Sequence, residues 1–332
     1  MYNIIGKINK GMLNFLILEI LKDHSDENHV LTHQDIIEKL KSEYGVDCER
    51  HAVRNNILGL QDLNYDIITT NKGSYLAEGV FDDAEIVTLI DGVLFSKSLS
   101  HMQKKRLIEK LKNLGNKYFR PKVTHTANLS KLQNSENTQT MNVVNVISKA
   151  VAKKRKIKFT YNRYGTDFKL HPRRSEKYIV NPYQLVLTNG RYYLIGNYDK
   201  YDDISHYKVD RITDIEMLKE AVKPKDKVKD FARVGFNLPK HMAEHIYMFS
   251  GESTRIEFIA NVEIMDELVD WFGKDFRVQK IGDDKIRVIL NCNEQAMVYW
   301  ALQYGSCIVI ESPQSLIDSV KKIAQKIVAD YD

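Results

Sequence analysis

The spacing of hydrophobic residues in the first 80 residues predicts three helices and a hairpin. Thr32 is placed as the N-cap of the second helix, and the third runs from about Cys48 to Leu63. The glycine-containing turn Asn71-Lys72-Gly73 lies between two apolar pairs and predicts a β-hairpin. Three helices followed by a hairpin are the plan of a winged helix-turn-helix. The first helix is indicated by apolar residues at a spacing of three to four, namely Met12, Phe15, Leu16, Leu18 and Leu21.

Two more amphipathic helices are expected between residues 82 and 119. We assign residues 81–125 to a helical connector and residues 126–140, which are rich in Asn, Ser, Thr and Gln, to a polar linker. The apolar positions that define the two helical faces are Ile86, Leu89, Ile90, Val93 and Leu94 in the first, and Leu107, Ile108, Leu111 and Leu114 in the second.

From Lys156 onward the hydrophobic period changes from that of a helix to that of a strand. Several short apolar segments follow within residues 141–223, two of them joined by the strong hairpin signal Asn189-Gly190. Short strands at this density predict a small barrel or a strongly bent sheet. Residues 224–250 are assigned to a second connector.

The last segment, residues 251–332, alternates between strand and helix patterns. The predicted order is β-α-β-β-α-β followed by a closing helix, which is the order of a ferredoxin-like unit. The whole chain is therefore expected to be a multidomain α+β protein, with a winged helix-turn-helix, a helical connector, a small barrel and a ferredoxin-like C-terminal extension.

Charge is distributed unevenly along the chain, which matters more than its total of +5. A central block of positive charge with acidic flanks is expected if a polyanion binds the middle of the chain; an uneven surface without a partner is the alternative. The net charges are −4 for residues 1–80, −4 for 81–96, +8 for 97–125, 0 for 126–140, +8 for 141–223 and −3 for 224–332.

Composition excludes several classes of protein. Among 332 residues there are three widely spaced cysteines, Cys48, Cys292 and Cys307, which suit neither a disulfide framework nor a metal knuckle. No apolar run has the length of a membrane span, and Phe15–Leu21 is interrupted by Glu19. We therefore expect a cytoplasmic protein with no membrane partner.

The middle segment resembles the WYL domain family, named after a Trp-Tyr-Leu triplet that reads Tyr192-Tyr193-Leu194 here. The order and spacing of four segments carry the resemblance: Lys156–Tyr161, Tyr178–Tyr183, Asn189–Gly196 and His206–Ile212. The resemblance implies an Sm-like β-barrel for this domain and a bacterial transcriptional regulator for the chain. It also implies a homodimer that binds double-stranded operator DNA with its N-terminal domains and senses a ligand, in some members a nucleic acid, with the WYL domain.

The third predicted helix carries side chains that suit a DNA reader. Arg can bridge the O6 and N7 atoms of guanine, and Asn can bridge N6 and N7 of adenine, in the major groove. An ordinary solvated polar face is the alternative for this helix. The candidate DNA-binding residues are Arg50, His51, Arg54, Asn55 and Asn56 on the helix and Lys72 at the hairpin tip.

The WYL-like segment combines tyrosines with cations, a mixture that suits a short single strand or a nucleotide as effector. The seven tyrosines are Tyr161, Tyr164, Tyr178, Tyr183, Tyr192, Tyr193 and Tyr207, and the cations are Lys158, Arg173, Arg174, Lys208 and Arg211. About half of these tyrosines are expected to belong to the core instead, and Arg211 could equally form a structural ion pair with Asp210. The candidate ligand-binding residues are Tyr161, Tyr183, Tyr193, His206, Lys208 and Arg211.

One motif points toward an enzyme. His241-Met242-Ala243-Glu244-His245 matches the H-x-x-E-H pattern of inverted zinc proteases, whose histidines lie one helical turn apart. It occurs in the connector after Pro239, and we interpret it as a chance match at the surface. Since no other catalytic motif or phosphate-binding glycine loop is present, we expect no enzymatic activity, no metal and no cofactor.

These observations favour a transcriptional regulator in which a ligand at the WYL domain controls operator binding. The alternative is an accessory protein that binds RNA or single-stranded DNA through the WYL domain and uses the helix-turn-helix as a scaffold. The acidic N-terminal segment keeps that alternative open.

Overall fold

Helices dominate the first part of the chain, and antiparallel sheets dominate the second. The computed structural model describes residues 12–77, 79–123, 135–232 and 237–332. The chain divides into two units, Met1–Thr138 and Gln139–Asp332. The mixed α+β class expected from the sequence is confirmed.

The first unit begins with three helices and a hairpin: α1 (Leu13–His24), α2 (His33–Tyr44), α3 (Arg50–Asp62), β1 (Ile67–Thr70) and β2 (Gly73–Leu76). Thr32 caps α2 as predicted, since its hydroxyl accepts the Asp35 N–H at 3.1 Å while the Asp35 carboxylate accepts the Thr32 N–H at 2.8 Å. Apolar residues from all three helices pack into one core with the hairpin residue Ile67.

The hairpin depends on a glycine at its turn. Leu31 pairs with Ser74 through two backbone hydrogen bonds of 2.9 and 2.8 Å, which adds a bridge from the segment before α2 to the edge of β2. Gly73 next to this bridge has φ +142°, and a Cβ there would lie 2.2 Å from the Leu31 carbonyl oxygen. Only glycine fits this position without displacing the backbone of Leu31.

The connector contains helices α4 (Asp83–Leu94) and α5 (His101–Lys112), followed by a 3-10 turn at Arg120–Lys122. Leu89 and Leu114, which the sequence places on the packed faces, are 41% and 50% exposed. The packed stripe on the two helices is therefore narrower than predicted. The residues buried between the helices are Ile86, Ile90, Leu94, Ile108 and Phe119.

Two features at the end of the first unit differ from the sequence prediction or escaped it. Residues 126–134 of the predicted polar linker lie outside the described residues, and Thr140 at its end already belongs to a helix. Lys104, predicted only as part of the helix, is fully buried and donates its ammonium to the Leu94 carbonyl at 3.0 Å; burial lowers its pKa.

The second unit opens with helix α6 (Thr140–Lys153), which the sequence analysis did not predict. Val143, Ile147 and Ala150 are fully buried on its inner face and cover one side of the sheet that follows. Their spacing of four and three residues is a helical signal, but the prediction for residues 141–223 was based on the strand pattern that begins at Lys156.

Six strands form the first sheet of this unit: β3 (Arg155–Tyr164), β4 (Leu170–Pro172), β5 (Tyr178–Thr188), β6 (Arg191–Tyr198), β7 (Ile204–Lys208) and β8 (Ile212–Ala221). Their order is β4-β3-β5-β6-β7, with β8 paired to β3, and every pairing is antiparallel. Asn189 and Gly190, both with positive φ, form the tight turn predicted between β5 and β6. Register shifts in the β3–β8 and β5–β6 pairs increase the local twist, so the sheet is curled.

The curled sheet is covered on both faces. One face packs against α6. The other packs against residues of the second connector, which contains α7 (Lys229–Ala232) and α8 (Leu238–Glu244), so that Val228, Phe231 and Met248 contact β5, β6 and β7. This connector is thereby placed next to the end of β7, where the candidate site lies.

The C-terminal segment has the predicted element order: β9 (Ser253–Asn261), α9 (Met265–Phe272), β10 (Arg277–Lys280), β11 (Lys285–Asn293), α10 (Glu294–Gln303), β12 (Ile308–Ser312) and α11 (Gln314–Tyr331). The strands pair in the order β10-β11-β9-β12, all antiparallel. Trp300 of α10 is fully buried against Phe258 and Phe272. No helix in the described part of the chain is both long and apolar enough to cross a membrane.

The hairpin geometry generates a stability prediction. Gly73→Ala should lower the free energy of unfolding by about 1–3 kcal/mol, because the new Cβ meets the Leu31 carbonyl and the backbone angle disfavours any side chain. Urea unfolding followed by circular dichroism measures the change. Gly92→Ala in α4 is the matched control: it meets no atom within 4 Å and should stabilise its helix by about 0.5–1 kcal/mol. Equal stability of the Gly73 variant and the unsubstituted protein would contradict this account.

Candidate functional site

A cavity of about 590 Å³ opens beside the curled sheet of the second unit. Its wall is built from the ends of β3, β5, β6 and β7, the segment between β4 and β5, and a segment of the second connector. The lining residues are Tyr161, Arg173, Arg174, Tyr178, Tyr193, Tyr198, Tyr201, Ser205, His206, Tyr207, Lys208, Arg211, Tyr247, Met248, Phe249 and Ser250.

Tyrosine rings form one part of the cavity wall. Tyr161, Tyr178 and Tyr207 contact one another nearly edge to face, with ring centroids 5.3–6.1 Å apart. The Tyr161 hydroxyl accepts the backbone N–H of Lys208 at 3.1 Å, which ties β3 to the end of β7. Burial raises the pKa of Tyr161 and of Tyr193, so both phenols are neutral at physiological pH. The mutual ring contacts therefore hold these tyrosines in fixed orientations at the cavity wall.

Two consecutive arginines stack on these rings. The Arg174 guanidinium lies 3.6 Å from the centroid of Tyr178 and donates a 2.7 Å hydrogen bond to the Tyr198 hydroxyl. The Arg173 guanidinium lies 5.1 Å from the centroid of Tyr161. Stacking fixes the plane of a guanidinium while leaving N–H groups at its edge free to bind phosphate or carboxylate oxygens.

A buried carboxylate anchors further cations beside the cavity. Asp210 is 1% exposed and accepts a 2.8 Å hydrogen bond from Arg191, while the Nε atom of Arg211 lies 3.7 Å from the same oxygen. Burial raises the pKa of Asp210, and the neighbouring arginines partly offset that effect. Arg211 also lies over the ring of Tyr164, 4.1 Å from its centroid. The proposed ion pair of Arg211 with Asp210 is thus loose, and Arg191, which the sequence analysis did not select, is the closer partner.

Lys208 is half-buried among these cations. Burial lowers the pKa of its ammonium, and the positive charges of Arg191 and Arg211 lower it further. Among the described residues that line the cavity, none is Asp or Glu. An anionic ligand would relieve the repulsion that Lys208 experiences, so the electrostatics of the cavity favour a negatively charged occupant.

His206 connects the cavity to the second connector. Its Nε2 atom lies 2.8 Å from Nε2 of His241, and the rings of His241 and His245 stack with centroids 4.1 Å apart. Burial lowers the pKa of His206 and of His241 to about 3. Both rings are therefore neutral at physiological pH, so the Nε2–H of one ring donates a hydrogen bond to the Nε2 of the other.

The H-x-x-E-H motif was expected at the surface, but the structure places it against the curled sheet, with His245 buried. His241 lies on α8, and His245 just beyond its end is 7% exposed. Both ring nitrogens of His245 face backbone carbonyls, those of His241 and Gly251. Among the described residues, no group of three or more His, Cys, Asp or Glu side chains could hold a metal ion.

Five of the six predicted ligand residues lie around this one cavity: Tyr161, Tyr193, His206, Lys208 and Arg211. Tyr183 does not. Its hydroxyl donates to the Lys223 carbonyl at 2.8 Å and its ring contacts Phe231 edge to face, so it belongs to the core on the connector side of the sheet. Of the seven tyrosines in question, Tyr161, Tyr183, Tyr193 and Tyr207 are buried, in agreement with the expectation that about half belong to the core.

Part of the cavity wall was not predicted from the sequence. Arg173 and Arg174 were recognised only as nearby cations, although two adjacent arginines after a strand are a visible signal. Tyr247, Met248, Phe249 and Ser250 lie in the second connector, about 40 residues beyond β7, and no sequence pattern indicated that this segment returns to the sheet.

The first unit contains the second group of candidate residues. Arg50, His51, Arg54 and Asn55 are exposed on α3. Asn56 is half-buried, and its amide donates to the Ala52 carbonyl at 2.7 Å. Asn56 is therefore occupied within its own helix and is less available than its neighbour Asn55.

Two further polar residues belong to this group. Lys72 is exposed at the tip of the hairpin, as predicted. His33, the first residue of α2, was not selected from the sequence. Burial lowers the pKa of His33, and the nearby charges of Arg50 and Arg54 contribute, which places the start of α2 beside the exposed end of α3.

Comparison with solved structures found distant likenesses over nearly the whole chain. The Proteasome accessory factor B/C (PafBC) of Arthrobacter aurescens matches at 14% identity with a TM-score of 0.30, covering 100% of this chain and 51% of that one. This chain thus spans about half the length of the PafBC chain. A CRISPR Cas-related protein matches at 14% identity with a TM-score of 0.39, covering 98% of this chain and 87% of that one.

Comparison with curated proteins found no match. A family model does match part of the second unit, with the description WYL domain, over residues 142–217. This range contains α6, the curled sheet through β7 and most of β8, together with the tyrosines and cations on the sheet side of the cavity. The resemblance seen in the sequence is confirmed for this segment: residues 142–217 match the WYL domain.

Proposed function

We propose that this chain is a DNA-binding transcriptional regulator, without enzymatic activity, whose WYL domain binds an anionic effector. The observation that carries the proposal is the cavity itself. Four cations, Arg173, Arg174, Lys208 and Arg211, line it beside stacked tyrosines, and no carboxylate lies among its described lining residues. Cations neutralise phosphate and aromatic faces stack on bases, so a nucleotide or short single strand suits it best.

The size of the cavity supports a small occupant. Ligand cavities in proteins commonly measure about 300–1,000 Å³, and this one measures about 590 Å³. A mononucleotide or the end of a short strand fits this range. The effector would bind through stacking on Tyr161 or Tyr193 and through phosphate contacts with Lys208 and Arg211.

The first unit is proposed to bind duplex DNA as a winged helix-turn-helix. Support comes from the order of three helices and a hairpin and from the exposed Arg50, Arg54 and Asn55 at the free face of α3. We further interpret the curled sheet as an Sm-like barrel. The strand order β10-β11-β9-β12 supports the interpretation of the C-terminal segment as ferredoxin-like.

A second candidate function is that of an accessory protein that binds RNA or single-stranded DNA through the WYL domain. The net charge of −4 on residues 1–80 favours it, because groove binders usually present a basic face. Selection of genomic duplex fragments by the purified protein, with the region upstream of its own gene included, distinguishes the two. Enrichment of defined duplex sites supports the regulator, and retention of single strands alone supports the accessory protein.

We expect a homodimer that binds a two-fold related operator, since winged-helix proteins commonly bind paired half-sites. Leu89 and Leu114 of the helical connector are exposed and available to a second copy. Light scattering at micromolar concentration should give twice the chain mass of 38.5 kDa. A monomer that stays monomeric on its DNA would contradict this expectation.

The proposed role of α3 in base recognition can be tested with variants of its exposed side chains. Arg54→Ala and Asn55→Ala should each weaken binding to the best selected duplex by about 1–3 kcal/mol and leave binding to unrelated duplex nearly unchanged, because they remove base contacts. Asn56→Ala is the matched control, since the Asn56 amide is bonded to Ala52. Fluorescence anisotropy with labelled duplexes measures all three. Equal losses on selected and unrelated duplex would assign α3 a backbone-binding role only.

The effector site is testable with short oligonucleotides. The full chain should bind single-stranded tetranucleotides or nucleotides with an affinity that falls as salt rises. Lys208→Ala and Arg211→Ala should each weaken that binding by about 2 kcal/mol, as expected for a charge-assisted phosphate contact. Lys219→Ala, an exposed lysine on β8 that does not line the cavity, is the control and should bind like the unsubstituted chain. Equal binding by all four proteins would place the effector elsewhere.

A further inference from the structure

The connector helix α5 presents a row of exposed cations on its outer side. Lys104 and Ile108 are buried on the inner side, whereas Lys105, Arg106 and Lys110 point to solvent. None of these three forms a salt bridge with another described residue. Unlike most surface lysines, which alternate with carboxylates, they lie in a segment, residues 97–125, that has nine basic residues and the single acidic residue Glu109.

The end of the connector is fastened to the N-terminal helices. The Asn116 amide donates to the Ser25 carbonyl at 3.2 Å, and the Lys117 N–H donates to the Asp23 carbonyl at 3.1 Å. The rings of Tyr118 and His29 stack with centroids 3.5 Å apart.

A salt bridge from Arg120 to Asp23 completes this junction. The contacted segment, residues 23–29, joins the end of α1 to Leu31, which forms a bridge to the hairpin residue Ser74. Polar, ionic and aromatic contacts therefore fasten residues 116–120, which follow α5, to the segment between α1 and the hairpin bridge.

The net charge of the first unit suggests a function for the exposed cations of α5. Residues 1–80 carry a net charge of −4, and residues 81–96 a further −4, although duplex binding is driven largely by cations on phosphates. Residues 97–125 carry +8 and bring the balance to neutral. At about 100° per residue, Lys105, Arg106 and Lys110 lie within about 140° of the helix circumference, on the side of α5 away from the buried Lys104 and Ile108.

We propose that the outer face of α5, formed by Lys105, Arg106 and Lys110, binds the phosphate backbone of the same duplex that α3 reads. This rests on the proposed function, in that the first unit must bind duplex DNA. The connector then acts as part of the DNA-binding surface and not only as a spacer. Its contacts carry no sequence information, because they reach phosphates and not base edges.

The test compares two triple variants of the full chain. Lys105→Gln, Arg106→Gln and Lys110→Gln together remove the proposed contacts. Lys321→Gln, Lys322→Gln and Lys326→Gln on α11 form the matched control, with the same spacing, exposure and change in charge. Both triples alter solvent-exposed side chains, and circular dichroism melting verifies that each remains folded. The probes are a labelled genomic duplex selected by the protein and an unrelated duplex of equal length.

The α5 triple should bind both duplexes at least about tenfold more weakly at low salt, and the slope of log affinity against log salt should fall in magnitude by about 2–3. The α11 triple should match the unsubstituted chain. If both triples show the same slope as the unsubstituted chain, the α5 face does not contact DNA and this inference is wrong, while the proposed function stands. If the unsubstituted chain binds no duplex even at low salt, the proposed function and this inference both fail. Loss on the selected duplex alone would also overturn the inference, because phosphate contacts do not distinguish sequences.

Discussion

The cavity of the second unit depends on how several positive charges are held close together. The positive charges of Arg191 and Arg211 repel that of Lys208, and burial adds to the cost of the Lys208 charge. The carboxylate of Asp210 opposes this repulsion from inside the fold, with a 2.8 Å bond to Arg191 and a looser contact to Arg211. A buried carboxylate is itself costly, so anion and cations are stable only together. The Asp210 carboxylate does not fully offset the repulsion among the cations, since the pKa of Lys208 remains lowered. The remaining positive potential would attract an anionic ligand.

Aromatic packing fixes the orientation of the cations that line the cavity. An arginine on a flexible stem loses side-chain entropy when it binds a ligand. Arg174 has already lost much of it, because its guanidinium stacks on Tyr178 and donates to the Tyr198 hydroxyl. Tyr161 in turn accepts the backbone N–H of Lys208 and carries Arg173 over its ring. The tyrosines that form the core of the curled sheet thus also preorganise its binding face.

Local patterns were sufficient for the strands and their chemistry, but not for contacts between distant segments. The two-residue period and the Asn189-Gly190 turn predicted the sheet, and five of six ligand residues converge because they lie at neighbouring strand ends. Tyr183 was misplaced because bulges and packing decide which face a strand residue takes, and Phe231 lies nearly 50 residues away. For the same reason Tyr247 and Phe249 escaped prediction. Helix α6 was missed for a different reason, since the prediction for residues 141–223 was based on the strand pattern from Lys156 onward and the helical spacing before it was not used.

The histidine cluster shows how the cavity extends beyond the matched WYL domain. His206 belongs to β7 inside the family match, whereas its partner His241 lies on α8 outside it. Both are neutral, so the 2.8 Å contact needs one ring as donor and the other as acceptor, and any tilt of β7 that moves His206 must break it or move α8. His241 is stacked on His245, which is followed by the cavity residues Tyr247 and Phe249. A ligand that displaced Lys208 or Tyr207 would also displace His206 on the same strand, and the His206–His241 contact would pass that displacement to α8 of the connector. A ligand can favour one arrangement of β7 and α8 only if it binds the two arrangements with different affinity.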